Sequence, residues 1–250
     1  MICHFLCFCM MILAQTPKVK ISVLDPGGED IVDRVEPEFP LARQELTELY
    51  LDASDCSVSD APVKEKSSVS YCGWDEKSVV KFNYTFDNES EIVGYMNLKL
   101  WVESDGYNDM DLFVKISKVG PDKEYRYHDP VPSGYYTSNY SGPKGRHRVS
   151  LRKLDPEKST INEPYHLFDE SRKLLPHEIV PVEISIWPTA LRFHAGETME
   201  IAVSGFAYGA VSPHVIGKMK MGTDNNGNHV IHSGGKYDSK LVVPFIPLKQ

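Results

Sequence analysis

The chain has no run of basic residues, no apolar stretch long enough to cross a bilayer, and no cysteine cluster with metal-ligand spacing. Each absence removes a class of function. With 27 lysines and arginines against 35 aspartates and glutamates the formal net charge is −8, whereas a binder of the phosphate backbone needs a basic patch or stripe, so nucleic acid is not an expected partner. The most apolar stretch, "MICHFLCFCMMILA", ends at Ala14, well short of the roughly 20 residues of a membrane-spanning helix. As a signal peptide it is poor. It has no Lys or Arg before the apolar run, and a cut after Ala14 would put Ile12 at the −3 position. Residues 1–16 therefore read as a leader of open status, either secretory or the irregular start of a coding sequence, and the weak cleavage site tips the compartment toward the cytoplasm.

Three of the five cysteines, Cys3, Cys7 and Cys9, lie in that leader and have no paired cluster elsewhere to complete a tetrahedral site, so no metal is expected. Cys56 and Cys72 are left as the only candidate disulfide. Acceptor triplets at Asn83, Asn88 and Asn139 bear only on a secreted chain.

What the sequence does hold is short strands. "KVKISVL" sets Val19, Ile21 and Val23 against Lys18, Lys20 and Ser22. "YMNLKLWVE" sets Met96, Leu98, Leu100 and Val102 against Asn97, Lys99 and Trp101. The same period of two runs through "DLFVKIS", "VPVEISIW" and "TMEIAVS", which predicts one buried face per strand, and "SKLVVPFIP" is a more continuous apolar strand. Seventeen glycines and seventeen prolines spread through clusters such as "DPGGED", "ESDGYND" and "TDNNGN" favour an all-β sandwich over an alternation of strands and helices. Only "LARQELTELYL" and, more weakly, "HLFDESRKLL" show helical spacing. Asp52 to Ser70, rich in Asp, Ser and Lys, reads as a long exposed loop.

Three groups of residues invite a chemical reading. Near the end of the chain, "NNGNHVIHSGGKYDSKLVVPF" brings His232, Ser233 and Asp238 close together in sequence. A catalytic triad needs the imidazole bonded to both hydroxyl and carboxylate, and neighbours on a strand point to opposite faces. The stretch is therefore expected to be a hairpin turning at Gly234 and Gly235. Asp105, Asp109 and Asp111 in "DGYNDMDLF" lack the spacing and closing glutamate of a calcium loop, and read as turn and strand-end residues. The segment "YRYHDPVPSGYYTSNYSGPKGRHR" collects Tyr125, Tyr127, Tyr135, Tyr136, Tyr140 and Arg146, the aromatic and hydrogen-bonding groups that a glycan, a peptide or a partner protein would meet.

Six segments then occur in a telling order: "PKVKISVLDPGG", "EPEFPLARQELTELYLDA", "LKLWVESDGYNDMDLFVKISKV", "GRHRVSLRKLD", "IVPVEISIWPTALRFHAGETMEIAVSG" and "NNGNHVIHSGGKYDSKLVVPFIP". Together they resemble the carboxy-terminal domain of the X-Pro dipeptidyl-peptidase and cocaine-esterase family of serine hydrolases, from about Pro17 to Pro247. The resemblance implies a galactose-binding-like jelly-roll β-sandwich over residues 17–250, with long loops and little helix, and it makes "ELTELYL" a strand and "DMDLF" the start of one. It places catalysis in a preceding α/β-hydrolase domain with its nucleophile on a G-x-S-x-G elbow. No serine here has glycines two before and two after it. The expectation is an accessory domain without catalytic residues or cofactor, inactive alone, whose tyrosine-rich segment docks on a hydrolase domain in cis or in trans and whose bare surface favours self-association. The alternative is a free-standing glycan- or peptide-binding module.

Overall fold

A computed structural model describes residues 16–121, 127–128, 139–140, 142–207 and 225–247. The strands are β1 (Val19–Val23), β2 (Ile31–Glu36), β3 (Glu45–Asp52), β4 (Ser57–Ser59), β5 (Ser67–Cys72), β6 (Val79–Thr85), β7 (Ser90–Ser104), β8 (Asp111–Val119), β9 (Tyr127–His128), β10 (Asn139–Tyr140), β11 (Lys144–Arg148), β12 (Val180–Phe193), β13 (Thr198–Ser204), β14 (Asn228–Ser233) and β15 (Lys240–Ile246). The one helical element among the described residues is a 3-10 turn at Val149–Leu151.

Strand β7 organises the first layer. One edge carries β12 from Val180 opposite Val102 to Phe193 opposite Ser90. The other edge carries β14 beside Trp101 to Ser104 and β15 beside Lys99 to Glu91. Strands β5 and β3 flank β14 and β15. The second layer runs β11, β8, β13, β6, β4. The layers join twice, through Gly145 opposite Ile186 at one side and through β4, which pairs with both β3 and β6, at the other. The result is the expected all-β jelly-roll sandwich with its sheet closed on itself, a device that removes most free strand edges.

Alternation explains the core. Met96, Leu98, Leu100 and Val102 of β7 lie beside Val182, Ile184 and Ile186 of β12 in the first layer and share one contiguous interior with Leu112, Val114 and Ile116 of β8 in the second, each such side chain contributing about 1.5–3 kcal/mol on burial. Single-faced burial holds for β12, where Pro181 and Trp187 are exposed. It fails for β8 and β13, whose Phe113, Ser117, Ala202 and Ser204 are buried as well, as in a strand covered on both sides.

One expectation holds and three change. "ELTELYL" is strand β3, as the family resemblance implied against its periodicity. "HLFDESRKLL" is not helical: its backbone N–H groups at Leu167, Arg172 and Leu174 donate to the carbonyls of Lys153, Ser150 and Asn108, and those long-range bonds replace the i to i−4 ladder a helix would need. Residues 153–179 thus form a strap between the 3-10 turn and β12. Asp52 to Ser70 is not one loop, since β4 and the start of β5 lie within it.

The third change concerns the stretch near the end of the chain. Strands β14 and β15 do not pair with each other as a hairpin. They run in series along the same edge of β7, and residues 234–239 leave the ladder and return to it. Gly234 has φ +83°, and a Cβ there would lie 1.8 Å from the carbonyl oxygen of Glu65, so this excursion needs glycine.

The seam at Gly145 is equally tight, for a Cβ at that position would meet the Ser185 carbonyl oxygen and Ile186 Cδ1, both at 2.6 Å. Gly145→Ala should therefore lower stability by about 1–3 kcal/mol through overpacking. Urea unfolding should show a lower midpoint at an unchanged m-value.

Candidate functional site

Strands β8 and β11 pair with Arg148 opposite Asp111, His147 opposite Leu112 and Arg146 opposite Phe113. A strand alternates its side chains, so Arg146 and Arg148 share one face and His147 takes the other. With Phe168 from the strap these residues line a cleft of about 330 Å³. Arg148 Nε and Nη2 donate to the two Asp111 oxygens at 2.8 Å. Asp109 accepts from the backbone of Met110 and Ser150 and from Lys173 Nζ at 2.8 Å. Burial alone would raise the Asp109 carboxyl, but the bonds to Lys173 and Ser150 outweigh it and hold the group below its usual range. These aspartates bind the start of β8 to β11 and to the strap, as strand-end residues do, and Asp105 stands apart on the exposed turn.

The cleft wall is aromatic. His147 and His166 stack with ring centroids 3.8 Å apart, and Phe168 lies 6.1 and 5.8 Å from them. Phe168 is presented from a left-handed backbone at φ +53°. Burial, reinforced by the neighbouring His166, pushes His147 down to about 4, and burial also lowers His166. The wall is therefore neutral at physiological pH, with arginines at its rim. Among the described residues the lining carries charged, aromatic and apolar side chains and no hydroxyl or thiol.

Of the six residues expected to form a partner or ligand surface, Tyr125, Tyr135 and Tyr136 lie outside the described residues. Tyr127 and Tyr140 are opposite one another in the short ladder of β9 and β10, and β10 ends four residues before the first residue of β11. Arg146 is exposed and lines the cleft. The stacked histidines and Phe168 were missed. Their contact joins β11 to the strap across 19 residues of chain, and only the string of aromatics in "YHLF" hinted at it.

The Ser/His/Asp cluster is not a triad. Ser233 Oγ accepts the Ala53 backbone N–H at 2.8 Å and bonds Ser67 Oγ, His232 Nε2 lies 3.0 Å from Glu103, and Asp238 accepts from Lys99 Nζ and Trp101 Nε1. Asp25, His194 and Glu197 also bring metal-ligand atoms together. Lys118 Nζ lies 2.5 Å from Asp25 and 2.7 Å from Glu197, so the ammonium already stands where a cation would. Cys56 and Cys72 are free thiols.

The chain belongs to a family of accessory domains: its sequence matches the X-Pro dipeptidyl-peptidase C-terminal non-catalytic domain over residues 12–242. Two crystal structures of a CocE/NonD family hydrolase from Staphylococcus aureus superpose on it with TM-scores of 0.85 and 0.86 at 37% and 36% identity, over 93% and 94% of this chain. The chain spans 42% of the length of that hydrolase. An aminopeptidase from a marine sediment thaumarchaeote shares the fold at 13% identity and a TM-score of 0.58, covering 86% of this chain and 39% of its own. An α-amino acid ester hydrolase shares it at 12% identity and 0.53, over 80% and 36%. No curated protein matches the sequence.

Buried neutral histidines make stability depend on pH. His229, whose Nδ1 lies 3.1 Å from the Tyr71 hydroxyl, is lowered by burial to about 4 like His147. Unfolded, these rings take up protons near pH 6.5. Folded, they stay neutral until about pH 4. The stability they contribute is complete above pH 6.5 and is lost as the pH falls toward 4, at roughly 2 kcal/mol per ring by pH 5. Denaturant unfolding should show a steep loss between pH 7 and 5, with a shallower slope for His147→Gln or His229→Gln. A wild-type stability that is flat over that range would contradict this account.

Proposed function

We propose that the chain is the accessory β-sandwich of an X-Pro dipeptidyl-peptidase-type serine hydrolase, that it has no turnover of its own, and that it serves by packing on an α/β-hydrolase domain supplied in cis or in trans. The observation that carries this reading is the superposition at 37% identity over 93% of this chain and only 42% of a CocE/NonD hydrolase. The chain's chemistry supports it: no serine stands on a nucleophile elbow, and Ser233, His232 and Asp238 each bind other partners. The docking surface in this reading is the tyrosine-rich segment 125–140 together with Arg146 and the cleft beside it. Phe168 at its rim and Leu175 and Trp187 nearby in sequence are 63%, 68% and 70% exposed, which suits a domain that normally packs against another.

A second reading, a free-standing module for glycans or peptides, draws on the same cleft, whose aromatic wall and arginine rim fit a small polar ligand. The two separate by experiment. The purified chain should show no hydrolysis of X-Pro chromogenic peptides or aryl esters above buffer. It should co-purify with the S. aureus hydrolase from which the matching C-terminal part has been deleted, and Arg146→Glu with Phe168→Asp should weaken that association. Saturable binding of sugars or peptides with no association would favour the module. Hydrolysis that survives repurification and disappears in Ser233→Ala would overturn both.

A further inference from the structure

We propose that Glu103, His177 and His232 form a binding site for a borderline divalent metal ion of the zinc type. The three residues come from separate parts of the chain: Glu103 from β7, His232 from β14, and His177 from the end of the strap just before β12. Glu103 Oε2 lies 3.0 Å from His232 Nε2, and Oε1 lies 3.0 Å from His177 Nδ1. Glu103 and His232 are largely buried, whereas His177 is 72% exposed and gives an ion access from solvent.

Charge separates this carboxylate from the others. Among the described ion pairs, Glu36 and Glu91 meet arginines, Asp111 meets Arg148, Asp109 meets Lys173, Glu48 meets Lys240, Asp238 meets Lys99, and Asp25 and Glu197 meet Lys118. Glu103 is paired with two imidazoles instead. A carboxylate at 16% exposure carries a desolvation cost that a bound cation offsets. The Asp25 cluster shows the opposite solution, with a lysine built in, and for that reason is not a candidate.

The donor set has the matching chemistry. Two imidazole nitrogens and a carboxylate, with a fourth position left to water, are one of the recurring zinc constellations. Ligands about 2.0–2.2 Å from a tetrahedral ion lie roughly 3.3 Å from one another, close to each 3.0 Å nitrogen–oxygen pair here. The two nitrogens sit on different carboxylate oxygens, so closure on an ion requires the exposed His177 ring to swing toward His232. The strands that carry Glu103 and His232 need not move. His177 has φ +58°, a conformation unusual for any residue but glycine, and from it the side chain reaches back over β7. A bound ion would clamp the end of the strap to β7 and β14.

The test uses the full chain stripped of metal with a chelator and titrated with Co(II). The expected result is saturable binding of one ion with d–d absorption and no sulfur-to-cobalt charge-transfer band, which ligation by any of the five cysteines would produce. Glu103→Gln, His177→Ala and His232→Ala should each weaken it by about 10-fold or more. His177 is exposed, so His177→Ala should keep the metal-free melting temperature, and Zn(II) should raise that temperature in the wild type and not in this variant. Absence of saturable binding, or binding that Glu103→Gln and His177→Ala leave unchanged, would overturn the proposal and leave a hydrogen-bonded histidine–carboxylate clamp.

Discussion

Hydrogen bonding along both edges of Ser90–Ser104 is the constraint on which most of the sandwich depends. One edge is taken by a single partner, β12. The other is shared in series by β14 and β15. Two strand segments that follow one another along one edge must be joined by chain that leaves the sheet and comes back in register, and the ladder is open at that gap. Ser239 closes it: its hydroxyl accepts the Trp101 N–H at 3.0 Å and donates to the His232 carbonyl at 2.7 Å. Asp238 holds Trp101 from the side through the indole N–H, and Ser233 secures the chain to Ala53 and Ser67. The serines and the aspartate that look like catalytic machinery in the sequence are the polar groups such an excursion needs, because a buried backbone without partners is costly.

The same region shows what a sequence can and cannot disclose. Alternation of Met96, Leu98, Leu100 and Val102, or of Val180, Val182, Ile184 and Ile186, is local information, and all eight are buried in the structure, although Asn97 between the first two is buried as well. A pair of glycines between two apolar runs is also local, but it says only that the chain turns. Whether the second run pairs with the first or continues beside a third strand depends on β7, more than a hundred residues earlier. The strap is hidden for a related reason: "HLFDESRKLL" has weak helical spacing, and bonds from its backbone to Ser150 and Asn108 override that preference. At the candidate site Arg146 was legible because charged and aromatic residues crowd around it. The His147–His166 stack was not, since neither residue has a local pattern that separates a stacked, neutral imidazole from an exposed one.

Ionic contacts do specific positional work in this fold. The β1–β2 ribbon belongs to neither main layer, and an isolated two-stranded ribbon is at best marginally stable. Apolar packing of Val23 with Leu41, Val93 and Ile246 covers its base. Its orientation is set by charge. Arg34 donates to both oxygens of Glu91 on β7, Arg43 donates to both oxygens of Glu36 on β2, and Asp25, just past β1, receives Lys118 from β8. Burial would raise the Asp25 carboxyl, yet Lys118 and His194 hold it below its usual range. Such pairs add little net stability compared with apolar packing of the same volume, but removing one partner is expensive, so they select a single placement for the ribbon.

Two positions along the strap have left-handed backbone. At its middle, Phe168 stands out from the cleft at φ +53°, and at its end His177 turns back onto β7 at φ +58°. Both conformations cost energy for residues with a Cβ, and both persist because bonds to Lys153, Ser150, Asn108 and Asp109 fix the segment between the 3-10 turn and the start of β12. Strain of this kind is kept where surrounding structure over-determines the backbone, and the presented side chain is then the reason to look for a contact. For Phe168 the neighbours are the arginines of the cleft and the neutral imidazoles of His147 and His166. For His177 the neighbour is a carboxylate paired only with imidazoles among the described residues. The strap thus presents an exposed aromatic side chain at its middle and an exposed imidazole at its end, and bonds along one length of chain hold both.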